Sequence, residues 1–253
     1  MLRANVKVPG YNRPLAIQLP VDETQVAMPY YLSNKRLVRY FCGECRVEDV
    51  CRGHIFVTQN GNVSYAENLE KNTTFHLSAF NDQPADGNTN AVVLILESPH
   101  KSEYLKRGCE LTPIAPAQGK KPGDAGGAIS KYIERIMEDI GSLDPGNYPF
   151  LIVNPIPYQT SLFHLLGLKK IDVALRNEVW MRLWELKAIR DFFIQRLDGY
   201  QPKLIINACT TPACCYVTDF LIQTSHRDIL FRCMHPACNW NLGRRGIWPA
   251  SID

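Results

Sequence analysis

Ala91-Val92-Val93-Leu94-Ile95-Leu96-Glu97-Ser98-Pro99-His100 is the stretch whose reading decides the fold. Six consecutive apolar residues run into a carboxylate and a proline. A short unbroken apolar run predicts a strand buried on both faces, as in a parallel sheet. Three similar runs follow: Phe150-Leu151-Ile152-Val153, Leu204-Ile205-Ile206, and Ile229-Leu230-Phe231-Arg232-Cys233-Met234. Between them lie helical patterns. Ile129, Ile133, Ile136, Met137 and Ile140 recur at helical spacing after Gly126-Gly127. Residues 172–197 form one long pattern carrying Val179, Trp180, Leu183, Leu186, Ile189 and Phe193. A short helix is expected near 212–222. Strands alternating with helices imply an α/β domain, a three-layer sandwich around a four-stranded, mainly parallel sheet.

Upstream of residue 91 the texture differs. Prolines stand at 9, 14, 20 and 29, and the β-type runs Leu37–Phe41 and His54–Val57 are short. Asn60-Gly61-Asn62 is a hairpin signal between Ile55-Phe56-Val57 and Val63-Ser64-Tyr65. Polar residues 81–90, with Pro84 and Gly87, predict a linker or long loop. The expected organisation is a β-rich extension over 1–90 and an α/β domain over 91–253.

Composition narrows the function classes. The chain has 253 residues, 45% hydrophobic and 21% charged, which excludes wholesale disorder and coiled coil. The apolar run at 91–96 is far shorter than the roughly 20 residues of a membrane span. The first residues show no apolar leader, so a cytoplasmic protein without a membrane partner is expected. A net charge of +3 confines any polyanion site to a local patch.

In open α/β sheets, ligands bind beyond the carboxyl ends of the strands. Those ends carry Glu97, Asn154, Asn207 with Cys209 and Thr210, and His235. A carboxylate, an amide and an imidazole are thus expected on one rim.

The ordered set resembles the uracil-DNA glycosylase superfamily. Val92 to Pro99 is similar to its first motif, a strand ending in an acidic residue and a proline. Glu103, then Gly119-Lys120-Lys121-Pro122, then Ala125-Gly126-Gly127 resembles the run that follows in the bacterial iron–sulfur branch. Phe150 to Pro157 resembles the strand ending in the base-reading Asn, Lys203 to Ala208 the third strand, and Met234-His235-Pro236 the closing His-Pro motif. The resemblance covers residues 91–245.

It implies a DNA glycosylase that leaves an abasic site and needs no cofactor. Glu97 would stabilise the oxocarbenium-like sugar or orient the attacking water. His235, as neutral imidazole, would donate to the leaving base. Asn154, with Pro99 and His100, would bind the flipped base. The best-known uracil enzymes carry a tyrosine at the position of His100, where it excludes a C5 methyl group. Its replacement leaves room for a larger C5 substituent and resembles the phage-defence glycosylases that remove glucosylated hydroxymethylcytosine.

DNA is the expected partner. Trp240 or Leu242 would fill the gap left by the flipped base. Arg244 and Arg245, with Lys120 and Lys121, would hold the phosphates. Cys42, Cys45, Cys51 and His54 place four soft ligands within 13 residues, the ingredients of a structural zinc site. Cys209, Cys214 and Cys215 are expected as small buried apolar residues. The alternatives are uracil repair, a nucleic-acid-binding module without turnover, and a hydrolase using Cys209 or Ser98 with His235. A zinc deaminase and a P-loop NTPase lack their motifs.

Overall fold

A computed structural model describes residues 2–6, 15–19, 32–33, 36–38, 46–67, 90–107, 110–118, 124–161, 173–240 and 246–250. Four short strands, β1 (Leu2–Val6), β2 (Leu15–Leu19), β3 (Leu32–Ser33) and β4 (Arg36–Val38), form one sheet in the order β2-β1-β4-β3. The larger sheet has seven strands. They are β5 (Val50–Val57), β6 (Val63–Glu67), β7 (Val92–Ile95), β10 (Gly146–Val153), β11 (Leu204–Asn207), β12 (Leu230–Arg232) and β13 (Trp248–Pro249). A separate hairpin pairs β8 (Tyr104–Arg107) with β9 (Glu110–Pro113).

The seven strands run in the order β13-β12-β11-β7-β10-β5-β6. The middle four, β12-β11-β7-β10, are mutually parallel. They are the four strands expected from the apolar runs. The sheet is nevertheless mixed and larger than the four strands expected, because β13 adds antiparallel at one edge and β5 and β6 at the other.

That addition reaches across residue 90. β5 pairs with β10 from Gly146↔Val57 to Ile152↔Val50, so residues 50–67 belong to the main sheet. The Asn60-Gly61-Asn62 turn forms as read: Thr58 N–H donates to Asn62 O at 3.0 Å, and Gly61 sits at φ 78°. Gly53 is required where β5 meets β6, because a Cβ there would collide with the Ala66 carbonyl oxygen.

The continuous apolar runs are explained by burial on both faces. Val93, Ile95, Leu151, Val153 and Ile205 point to one face, against α2 (Val173–Trp184), α3 (Lys187–Tyr200) and α4 (Ala213–Leu221). Val92, Leu94, Phe150, Ile152, Leu204 and Ile206 point to the other, against α1 (Ala125–Ile140). α1 buries Ile129, Ile133, Ile136 and Met137, each worth about 1.5–3 kcal/mol. It ends at Gly141, whose φ of 62° is left-handed and whose N–H caps Met137 O.

The pattern expected as one helix over 172–197 is two helices. The chain breaks at Glu185-Leu186, where Leu186 is extended (φ −73°, ψ 117°) and its N–H turns back to Leu183 O. The break lets Ile189, Phe193 and Leu197 continue the apolar contact with the same face as Val179, Trp180 and Leu183. Among the described residues no helix is long and apolar enough to cross a membrane.

Candidate active site

The parallel register brings four strand ends to one level. Val153 and Asn207 both pair with Ile95, and Arg232 pairs with Asn207. The chain leaves three of these strands, β7, β11 and β12, with one more ladder bond each: Leu96 N–H to Val153 O, Ala208 N–H to Ile95 O, and Cys233 N–H to Asn207 O. Glu97, Asn154, Thr210 and His235 therefore emerge on one rim.

Glu97 is 7% exposed and held at both oxygens. Oε1 accepts from Arg176 Nε at 3.2 Å, and Oε2 accepts from the Thr210 hydroxyl. Its main-chain carbonyl accepts the Trp180 indole N–H at 2.9 Å. Burial pushes the carboxyl up, while Arg176 and Thr210 draw it back.

His235 precedes α5 (Pro236–Asn239). Its Nδ1 accepts the Ala237 N–H at 3.3 Å. With Nδ1 as acceptor, the proton of the neutral ring lies on Nε2, which becomes a donor. Burial, and the positive charges of Arg176 and His100, hold the imidazole down to about 4. It is uncharged at neutral pH.

Asn154 is 2% exposed, and its side-chain oxygen has no partner. An unpaired buried amide oxygen costs about 1–3 kcal/mol, and a ligand donor would satisfy it. Its main chain is fixed: Arg196 Nη2 donates to Asn154 O at 2.7 Å. Arg196 Nη1 also donates to both Asp49 oxygens at 2.6 Å, and Tyr200 OH donates to Asp49 Oδ2 at 2.8 Å. Val47 N–H donates to Pro157 O at 2.9 Å. The segment before β5 therefore supports the loop that presents Asn154. The neighbouring Gln159 is also buried, and its amide nitrogen is unpartnered.

Pro99 is buried and His100 is exposed, with Nδ1 3.0 Å from the Ser102 hydroxyl. The turn is tied down by Glu103, whose N–H donates to His100 O and whose carbonyl accepts from Ile114 N–H. Glu103 Oε1 accepts from Ala117 N–H at 2.8 Å. Burial pushes this carboxyl up to about 8, so it is protonated at neutral pH.

Other expectations separate here. Trp240 is fully buried against α1 and donates its indole N–H to Met234 O at 2.6 Å. Its role is therefore core packing, which corrects the expectation of a wedge. Leu242, Arg244, Arg245, Lys120 and Lys121 lie outside the described residues.

Cys42 and Cys45 also lie outside them, and the other two members of the expected zinc set, Cys51 and His54, have partners within the protein. Cys51 packs into the apolar core with its thiol donating to Gly53 O, whereas His54 Nδ1 pairs with Asn147 Oδ1 at 3.0 Å. Among the described residues no group of three or more His, Cys, Asp or Glu is arranged to hold a metal.

Cys209 is buried, and burial raises its thiol well above the ordinary range, which removes the thiolate a nucleophile needs. Cys214 is half-buried and Cys215 exposed, so Cys215 departs from the buried role expected. Ser98 bonds the Thr160 hydroxyl at 2.9 Å.

Sequence reasoning passed over Arg176. Its signal was present: residues 176, 180 and 183 share one helical face, so a basic residue continues the stripe of Trp180 and Leu183 toward the rim. Comparison with family models, with curated proteins and with solved structures finds no match to the chain.

Proposed function

We propose that this chain is a monofunctional DNA glycosylase that flips a modified pyrimidine out of DNA and hydrolyses its N-glycosidic bond. The observation that carries the reading is His235: its Nδ1 is an acceptor, so the neutral ring offers Nε2–H as a donor on the rim that holds a buried carboxylate. As the N-glycosidic bond breaks, its electron pair passes to the base. Nε2–H would donate to the carbonyl oxygen where that charge gathers, worth about 2.7–4 kcal/mol in the transition state. The Glu97 carboxylate would face the electron-poor sugar and orient the water that adds to it. The unpaired Asn154 oxygen would accept from the base's Watson–Crick edge. These steps call for no cofactor.

The motifs sit on four parallel strands in the order found in the uracil-DNA glycosylase superfamily, which supports reading the sheet as the centre of such a three-layer sandwich. The substrate we favour is a bulky C5-modified cytosine of phage DNA, removed in the cytoplasm as antiviral defence. This rests on His100 standing where uracil enzymes carry tyrosine. Uracil repair is the alternative substrate. A binding module without turnover is the second reading, favoured by Glu97 being held at both oxygens by Arg176 and Thr210. Abasic-site formation in DNA containing uracil or glucosylated hydroxymethylcytosine, with Glu97→Ala and His235→Ala as controls, separates the three.

A further inference from the structure

Arg176 reaches the rim from α2, a helix otherwise engaged in core packing. Its Nε lies 3.2 Å from Glu97 Oε1, and its Nη2 lies 3.4 Å from Thr210 Oγ1. The same two nitrogens fork onto Asn177 Oδ1 at 3.2 and 2.9 Å. The arginine side chain is 23% exposed and that of Glu97 only 8%, so solvent screens the pair weakly. One helical turn further on, Trp180 grips the Glu97 carbonyl.

We propose that Arg176 is a positioning residue that clamps the Glu97 carboxylate against Thr210 and supplies the fixed positive charge under which Glu97 works as an anion. The proposal rests on the role given to Glu97 above. A fixed cation favours a neighbouring anion; at His235 it only adds to burial, the larger effect there. Burial alone would drive Glu97 toward its protonated form.

Among the described residues, the other groups facing these two bring no fixed positive charge. Cys209 and Thr210 approach Glu97 from the loop after β11, the first a neutral thiol and the second an uncharged hydroxyl. His235 is faced by His100 from the turn after β7 and by the Ala237 N–H of α5. His100 opposes imidazolium formation only when it is itself protonated.

The test compares Arg176→Ala and Arg176→Lys with the wild-type chain. NMR titrations of the His235 ring and the Glu97 carboxyl are paired with the pH profile of abasic-site formation. Loss of the cation raises the Glu97 midpoint by about one to three pH units, as for a close charge, and moves that of His235 in the same direction. The acid limb of the profile should rise with them, since falling pH protonates both groups, and Lys should restore much of the shift. A folded Arg176→Ala whose midpoints and profile are unmoved overturns the proposal, as does a Lys variant no closer to wild type than Ala. If Ala does not fold, Arg176→Gln against Arg176→Lys makes the same comparison. If the wild-type chain forms no abasic sites, the glycosylase reading fails, while the NMR midpoints still decide the role of Arg176.

Discussion

The Trp180 indole N–H donates to the main-chain carbonyl of Glu97 at 2.9 Å, so a core residue of α2 fixes the backbone of the rim carboxylate. Trp180 is 1% exposed and stacks on Trp184 with ring centroids 5.3 Å apart. Trp180→Phe keeps an aromatic ring in the stack but leaves the carbonyl without this donor. We expect a loss of about 1–3 kcal/mol, measured by urea unfolding. Unchanged stability would show that the bond contributes little.

Asp49, Arg196 and Tyr200 form a buried polar network in which Arg196 Nη2 also holds the Asn154 carbonyl. Asp49→Ala leaves the Arg196 guanidinium buried without its counter-charge, at an expected cost of about 3–5 kcal/mol. Replacing both members of the pair, Asp49→Leu with Arg196→Met, should cost much less, because no charge is then stranded. Chemical denaturation of the single and double variants checks the ordering. Equal losses would contradict it.

Glu103 makes stability pH-dependent. Its carboxyl has an ordinary value of 4.5 when unfolded and about 8 when folded. Between those values the folded chain keeps a proton that the unfolded chain has lost. Stability from this group therefore falls as pH rises from 4.5 to about 8 and levels off above. Glu103→Gln, which mimics the neutral acid, should lose less stability than wild type over that window. Parallel urea titrations at pH 5 and pH 8 test this, and identical slopes for both proteins would refute it.

A chain beginning at Ala91 lacks β5 and β6 and leaves the full length of β10 unpaired on that side. It also loses Asp49 from beneath Arg196. We predict that it fails to give a cooperative unfolding transition. A well-folded product with wild-type stability would contradict this.

The reasons for legibility differ between elements. The four parallel strands were readable because burial on both faces leaves an unbroken apolar signature, and Val92, Leu151, Ile205 and Leu230 all carry it. β5 and β6 were readable as a hairpin, but their partner was not. The contact of Val50 with Ile152 spans about a hundred residues, and no local pattern announces it. Trp240 misled because it lies between two asparagines in a stretch rich in arginine, whereas its burial depends on α1. Glu97, Asn154 and His235 were legible because strand ends in such sheets share a rim. Arg176 was not, since a charged residue on an apolar helical stripe is recognisable as part of a site only once the carboxylate opposite is known.

Base release is the reaction on which the roles of Glu97 and His235 depend. Purified protein should be incubated with DNA containing uracil and with phage DNA containing glucosylated hydroxymethylcytosine, and abasic sites revealed by alkaline cleavage. We predict cleavage of the phage DNA, with the rate falling by about 100- to 1000-fold in His235→Ala through loss of the donor to the leaving base, and cleavage abolished or nearly so in Glu97→Ala. Abasic sites in neither DNA, or rates unchanged in both variants, would contradict the account.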